Sequence, residues 1–329
     1  EHGIRGDMPY GKPVPSSTDP VTGLPVFSLY GKHRKPTRDM MSGIEMVLFD
    51  IQDVGCRYYT YIYTMAYVMQ ACAEYGKLFV VLDRPNPING QTVEGNVLDI
   101  KFASFVGLYP IAVRYGLTPG ELATFTNVEF GIGCNIHVAR CTGWKRAIWF
   151  DETGLPWVPP SPNMPTLDTA TLYPGLCLLE GTNVSEARGT SKPFEVFGAP
   201  WVDAFKLADY LNNLNLPGIR FRPAYFIPTA SKYQGQRCGG VQAHITDRDS
   251  LRPTLVGLYA VKALHDLFPN EFQFLPPGES GKHLFDLLVG TDKTRLAIQV
   301  EAPADEIIDE WYEGLPAFIQ RRQRYLMYL

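Results

Sequence analysis

Apolar residues in this chain come in two rhythms, separated by polar loops rich in proline and glycine. Ile44–Ile51 is a near-continuous apolar run that reads as a strand buried on both faces, and Lys77–Asp83 reads as a second. Between them the period changes. From Arg57 to about Tyr75, Tyr59, Tyr63 and Tyr67 recur at helical spacing, with Ile62, Ala66 and Met69 nearby. That stripe reads as packing, with Tyr58 and Tyr59 in the first turn as the exceptions. Strand, helix and strand make a βαβ unit with a right-handed crossover. A short strand and turn is predicted in Phe105–Arg114. A helix follows from Thr118 to about Phe130, with Thr118 as cap, Pro119 at its first position and Glu121 closing a capping box. Asn135–Arg140, Ala147–Phe150 and Lys192–Phe197 read as strands. Asp203–Asn213 reads as helix, Gly218–Pro223 as strand entry and Val241–Ile245 as strand. Pro253–Phe268 and Lys282–Val289 read as helices. One long amphipathic helix is expected from Asp305 to about Tyr328, with Ile308, Trp311, Leu315 and Phe318 on one side. The class is α/β. Gly198-Ala199-Pro200 is the best boundary, dividing residues 1–200 from 201–329, and the last third reads as support.

The interruptions in these rhythms hold the chemistry. Leu179–Thr190 packs Glu180, Asn183, Glu186 and Arg188 among hydroxyls and glycines, where apolar periodicity nearly vanishes. Such a stretch reads as a loop that displays its side chains, although composition alone leaves a solvated surface turn equally open. Trp157–Pro165, with Asn163 among prolines, must run extended. Residues 8–43 form a long irregular excursion of a kind that is usually functional or disordered. Both predicted buried strands end in a carboxylate, Asp50 and Asp83. Gln52, Asp53, Arg84 and Asn86 follow, at the strand ends where open α/β sheets bind ligands. Glu94 sits beside a glycine.

Composition narrows the class. The chain has 329 residues, 45% hydrophobic and 19% charged, which describes a core-forming protein. A net charge of −4 without a basic run argues against nucleic acid as a partner. No apolar run is long enough to span a membrane. The six cysteines show no metal or redox spacing, and buried thiols are the default reading. The chain opens at Glu1-His2-Gly3 without an initiator Met or signal peptide, and reads as a fragment or processed form.

No dinucleotide fingerprint, P-loop, nucleophile elbow or zinc-protease motif is present. What remains is carboxylates, arginines, amides and aromatics on loops. Glycoside hydrolysis needs that set: one carboxylic acid protonates the leaving oxygen, while a second carboxylate acts as nucleophile or base. Arginines suit a substrate that carries its own carboxylate. Residue types alone also admit a metal-dependent hydrolase using His2, Asp50 and Asp53.

Longer motifs sharpen the choice. Glu1-His-Gly-Ile-Arg-Gly6, Phe49–Gly55 with Arg57-Tyr-Tyr-Thr-Tyr61, Val81–Gly90, Val93-Glu-Gly95, Gly143–Arg146, Pro159–Leu167, Glu180–Glu186 and Arg188-Gly-Thr190 together resemble the NamZ/YbbC family of exo-β-N-acetylmuramidases of peptidoglycan recycling. The likeness runs the length of the chain. It implies a Rossmann-like, mostly parallel sheet with flanking helices, a smaller C-terminal α/β domain and a cleft between them. It implies removal of non-reducing-end N-acetylmuramic acid (MurNAc) from a saccharide or muropeptide, without a metal or other cofactor, in a secreted or periplasmic setting. Family members carry a strand and a proline ahead of Glu-His-Gly, so a first strand and any export signal are expected before Glu1. Ala187 stands where glycine is expected, and Cys56 where alanine is.

Carried over by residue, Glu1 is the first catalytic carboxylate, oriented by His2. Its partner is ranked Glu186, then Glu180, then Asp50. Arg5, Arg57, Arg84 and Arg188 are expected to clamp the lactyl carboxylate. Gln52, Asp53, Asn86 and Asn163 are expected to hold hydroxyls and the acetamido group, with Tyr58, Glu94 and Asn183 completing the substrate site. A muropeptide receptor would use the same clamp without needing two facing acids.

Overall fold

The computed structural model describes residues 2–6, 8 and 14–329. A two-residue hairpin, β1 (Ser17–Thr18) with β2 (Pro25–Val26), is the regular part of the early excursion. The N-terminal half is built on three parallel strands in the order β3 (Met46–Phe49), β4 (Leu78–Leu82) and β7 (Ile136–Ala139). A separate antiparallel pair joins β5 (Glu94–Val97) to β6 (Ala112–Arg114). Helices α1 (Tyr61–Tyr75) and α2 (Pro119–Glu129) pack with β4 around Tyr63, Met69, Phe79, Val81 and Phe125. The C-terminal half has an antiparallel sheet in the order β8 (Val196–Ala199), β10 (Cys238–Ile245) and β9 (Ile219–Phe226). The same half of the chain supplies α3 (Leu167–Leu176), α4 (Ala204–Asn213), α5 (Pro253–Leu267), α6 (Leu284–Val289), α7 (Lys293–Gln299), α8 (Ala304–Glu313) and α9 (Leu315–Arg322); α4 packs on β9 and β10, whereas α8 and α9 pack against β5. The mixed α/β class and the parallel sheet agree with the sequence expectation.

Local signals succeed where they are chemically complete. Thr118 and Glu121 form the reciprocal capping box that starts α2, and Asp203 caps α4 by accepting from the Phe205 and Lys206 amides. Other expectations fail for identifiable reasons. β3 lies at the sheet edge, so Met46 and Leu48 are exposed and the strand is not buried on both faces. Ala147–Phe150 is not a strand; a 3₁₀ turn runs over Phe150–Thr153. The long terminal helix is two, α8 and α9, because Gly314 and Pro316 interrupt the pattern. α7 has no counterpart in the sequence reading. Val196–Ala199 joins the second sheet from ahead of the Gly198–Pro200 boundary.

Two close approaches set the geometry of the site. In α3, a Cβ on Gly175 would stand 1.8 Å from the Pro253 carbonyl oxygen of α5, and one on Gly257 would stand 2.2 Å from the Gly175 oxygen. Only glycine at both positions lets these helices cross backbone to backbone. After α3 the chain tightens into a 3₁₀ turn, Cys177–Gly181, which carries Glu180. Among the described residues, no helix is long and apolar enough to cross a membrane.

Candidate active site

A cavity lies where the two halves meet. Tyr58, Tyr59 and Thr60 wall it just before α1, and Ser161, Asn163 and Met164 come from the proline-rich run. Tyr173, Cys177 and Glu180 come from α3 and its 3₁₀ extension, Arg188 and Phe194 from the following loop, and Leu288 from α6. The rings form a connected wall. Tyr173 stands edge-on to Tyr58, Tyr59 and Phe194, with centroids 5.6, 5.9 and 4.9 Å away. Tyr58 donates its hydroxyl to the Pro174 carbonyl, which anchors the wall to α3.

The loop at 182–195 is buried rather than displayed. Ser185 exchanges backbone hydrogen bonds with Gly198 of β8 at 2.8 and 3.0 Å, and the Phe194 amide donates to the Glu186 carbonyl at 2.9 Å. Closing so tightly requires left-handed backbone at Ala187 (φ 58°) and Phe194 (φ 59°). Strain at non-glycine positions of this kind concentrates at functional sites.

Four charges sit in that loop's interior. Arg188 pairs with Glu180 and lies 3.2 Å by its Nε from Glu186. Lys232 places its Nζ 2.9 Å from the other Glu186 oxygen. The directed hydrogen bonds of Lys232 go to the Leu179 and Thr182 carbonyls, so its contact with Glu186 is charge against charge. Two anions thus balance two cations. Arg188 also lies over the Phe194 ring, 4.9 Å from its centroid. Burial first, and the Glu180 charge second, hold the Cys177 thiol well above its ordinary range, so it stays protonated.

The sequence-predicted residues divide sharply. His2, Tyr58, Asn163, Glu180 and Arg188 line the cavity. His2 is buried and its Nδ1 lies 2.9 Å from the Met8 carbonyl. Glu1 lies outside the described residues. Glu186, ranked first as partner, is 1% exposed beneath Arg188 and does not line the cavity, whereas Glu180 does. Asp50 faces an adjoining open groove, where Arg84 pairs with it at 2.5 Å, and Arg5 lines the same groove, 2.5 Å from Asp19.

The remainder are structural. Arg57 is fully buried and donates to the carbonyls of Asn96, Ile111, Leu288 and Val289, tying the two halves together, so it is not part of a clamp. Glu94 binds Arg114 at 2.9 Å and accepts from Thr254 of α5 at 3.0 Å. Asp53 accepts from Tyr115 and from the Gly55 amide, and burial pushes its carboxyl up to about 6. Asn86 bridges the Leu117 carbonyl and the Ile88 amide. Gln52 ties its own turn to the Pro85 carbonyl. Asn183 pairs with the backbone of Glu271 and Gln273. Each of these polar groups has found protein partners of its own, although Asp53 Oδ1 and Arg57 Nε are left without a hydrogen bond.

The sequence reading missed Tyr30, Tyr173, Phe194 and Leu288 on the cavity, and Lys232 behind it. Lys232 lies in a polar, glycine-rich loop that carried no signal. Its flanks, Ser231 and Tyr233, have φ of 65° and 58°, which only the backbone reveals. Among the described residues, no cluster of His, Cys, Asp and Glu has metal-binding geometry.

Comparison with known proteins agrees with this architecture. Residues 1–168 match the family model for the N-terminal domain of exo-β-N-acetylmuramidase NamZ, and residues 171–328 match that for its C-terminal domain. The chain is 49% identical over 328 residues to a Bacillus subtilis protein named peptidoglycan β-N-acetylmuramidase NamZ, covering 100% of this chain and 78% of that protein. Two crystal structures of DUF1343 family proteins from Bacteroides fragilis are similar. One has a TM-score of 0.90 at 40% identity, covering 100% of this chain and 84% of the other. The second has a TM-score of 0.77 at 34% identity, covering 94% and 82%. The cavity draws residues from both matched domains, and with both domains present the chain belongs to the exo-β-N-acetylmuramidase NamZ family.

Proposed function

We propose that this protein is an exo-acting glycoside hydrolase that releases non-reducing-end β-linked MurNAc from peptidoglycan fragments. The observation that carries the reading is Glu180. Its carboxylate lines the cavity between the two halves and is paired with Arg188, within a family of muramidases. Glycoside hydrolysis requires a pair of carboxyl groups flanking the scissile bond. Glu180 supplies one. Glu1 supplies the second, on the strength of the Glu-His-Gly motif whose histidine lines the same cavity.

The other walls suit the sugar. The apolar surfaces of Tyr59 and Val106 complement the methyl groups of the acetamido and lactyl substituents. Asn163, whose side-chain amide makes no hydrogen bond among the described residues, is placed to bind the acetamido group or a ring hydroxyl. Of the four arginines expected to clamp the lactyl carboxylate, Arg188 is the one that lines the cavity, where its pair with Glu180 and its contacts with Glu186 and Phe194 set its orientation. Glu186 acts through Arg188 as a positioning residue. A cell-wall substrate would be met by a secreted or periplasmic enzyme, and that setting is part of the proposal, which cell fractionation with an antibody would test.

The decisive measurement is release of MurNAc from a MurNAc-terminated disaccharide and from a chromogenic MurNAc glycoside. Replacing Glu180 by Gln should lower kcat by about 10²–10⁴ at unchanged circular dichroism. Wild-type protein that binds muropeptides by calorimetry but releases nothing would make it a receptor instead. Full activity in Glu180→Gln would remove Glu180 from the chemistry.

A further inference from the structure

The cavity does not stand alone. An open groove adjoins it and shares His2, Tyr30 and Thr60 with it. We propose that this groove is the aglycone site, binding the second and further aminosugars of the glycan whose terminal residue occupies the cavity. The inference rests on the muramidase reading and deepens it.

Continuity is the first argument. An exo-acting enzyme encloses one sugar and must let the rest of the chain leave by an open path, and the shared residues place that path at the cavity mouth. Surface chemistry is the second. Among the described residues, the Arg5 and Asp50 side chains of the groove are paired, Arg5 with Asp19 and Asp50 with Arg84. What the groove offers instead is exposed apolar surface, with Phe27 48% and Ile4 61% exposed, beside Tyr61 and Ile51. Apolar and aromatic faces match the C–H faces of pyranose rings better than the charged groups of a peptide stem. Rigidity is the third. The β1–β2 hairpin forms one wall, and buried Asp19 locks its turn by accepting from the Thr22 amide and hydroxyl at 3.2 and 2.7 Å. A preformed wall lowers the ordering cost of binding.

The test is a series of substrates at one terminal sugar: a chromogenic MurNAc glycoside, the MurNAc-terminated disaccharide, and the corresponding tetrasaccharide with and without peptide stems. Wild-type kcat/KM should rise with chain length. Phe27→Ala should leave the chromogenic substrate unchanged and lower kcat/KM for the peptide-free tetrasaccharide roughly five- to tenfold, the loss expected when one aromatic contact is removed. Ile4→Ser should act in the same direction and guards against a folding defect in the first variant. Turnover of the chromogenic substrate with no chain-length dependence in the wild type would overturn the aglycone groove alone. So would a preference confined to peptide-bearing substrates. No turnover of any substrate would overturn the muramidase reading, and this inference with it.

Discussion

Neutralising Glu186 without changing its shape tests whether it serves the chemistry or only the arginine. Glu186 is 1% exposed, with Arg188 Nε at 3.2 Å and Lys232 Nζ at 2.9 Å. At an effective dielectric constant of about 20, each contact has a gross attraction of roughly 5 kcal/mol. Much of that is offset by the desolvation of the carboxylate, and breaking a buried pair typically costs about 3–5 kcal/mol net. The Lys232 side chain keeps 20% of its surface in water and can be partly resolvated, which places the expected loss for Glu186→Gln near the lower end, about 3 kcal/mol. With a urea m-value of about 3 kcal/mol/M, the midpoint should fall by about 1 M at unchanged slope. Adding Lys232→Met rebalances the charges, so the double variant should lose less than the sum of the singles, by roughly 1.5–3 kcal/mol. A Glu186→Gln protein within about 0.5 kcal/mol of wild type would refute this account. So would a kcat as low as that of Glu180→Gln without loss of stability, because Glu186 would then be a reacting carboxylate.

Four further outcomes follow from the structure. Burial raises the Asp53 carboxyl from its ordinary 3.8 to about 6, so the folded protein keeps a proton there that the unfolded chain releases. That contribution is whole below pH 3.8 and is lost as pH rises through 6; Asp53→Asn should reduce the pH 4-to-7 change in urea stability by about 2 kcal/mol, and an unchanged difference would contradict the burial argument. Ala187 holds φ 58°, where glycine is unstrained, so Ala187→Gly should leave stability equal or raise it by up to about 1 kcal/mol, and a clear loss in thermal melting would show that no strain is stored. Arg57→Met strands carbonyls on both halves and should cost at least about 3 kcal/mol in urea unfolding while leaving KM of the remaining folded enzyme unchanged; a raised KM would restore Arg57 to the substrate clamp. Activity should survive exhaustive chelation with EDTA, whereas loss that is restored by a divalent metal would support metal-dependent hydrolysis.

Much of the frame was legible in local pattern. The βαβ core, the capped start of α2 and the helices α4 and α5 follow from periodicity and capping chemistry that act within a few residues. Long motifs identified the family and brought His2, Tyr58, Asn163, Glu180 and Arg188 into one candidate set, and these do meet in one cavity. Local pattern could not rank the carboxylates within that set. Glu180 and Glu186 are six positions apart in one polar loop and look alike in sequence, yet one faces the cavity and the other is covered.

Amino-acid order alone therefore determined which side chains were available and the class of chemistry they support. Which of them meet a substrate was decided only by tertiary packing. Arg57 and Arg188 carry the same donors, but carbonyls from β5 and α6, far off in the chain, surround the first, while the second ends at a cavity wall. The reason is physical. Each buried donor or acceptor must be satisfied, and its partners are set by contacts between distant segments that no local window contains.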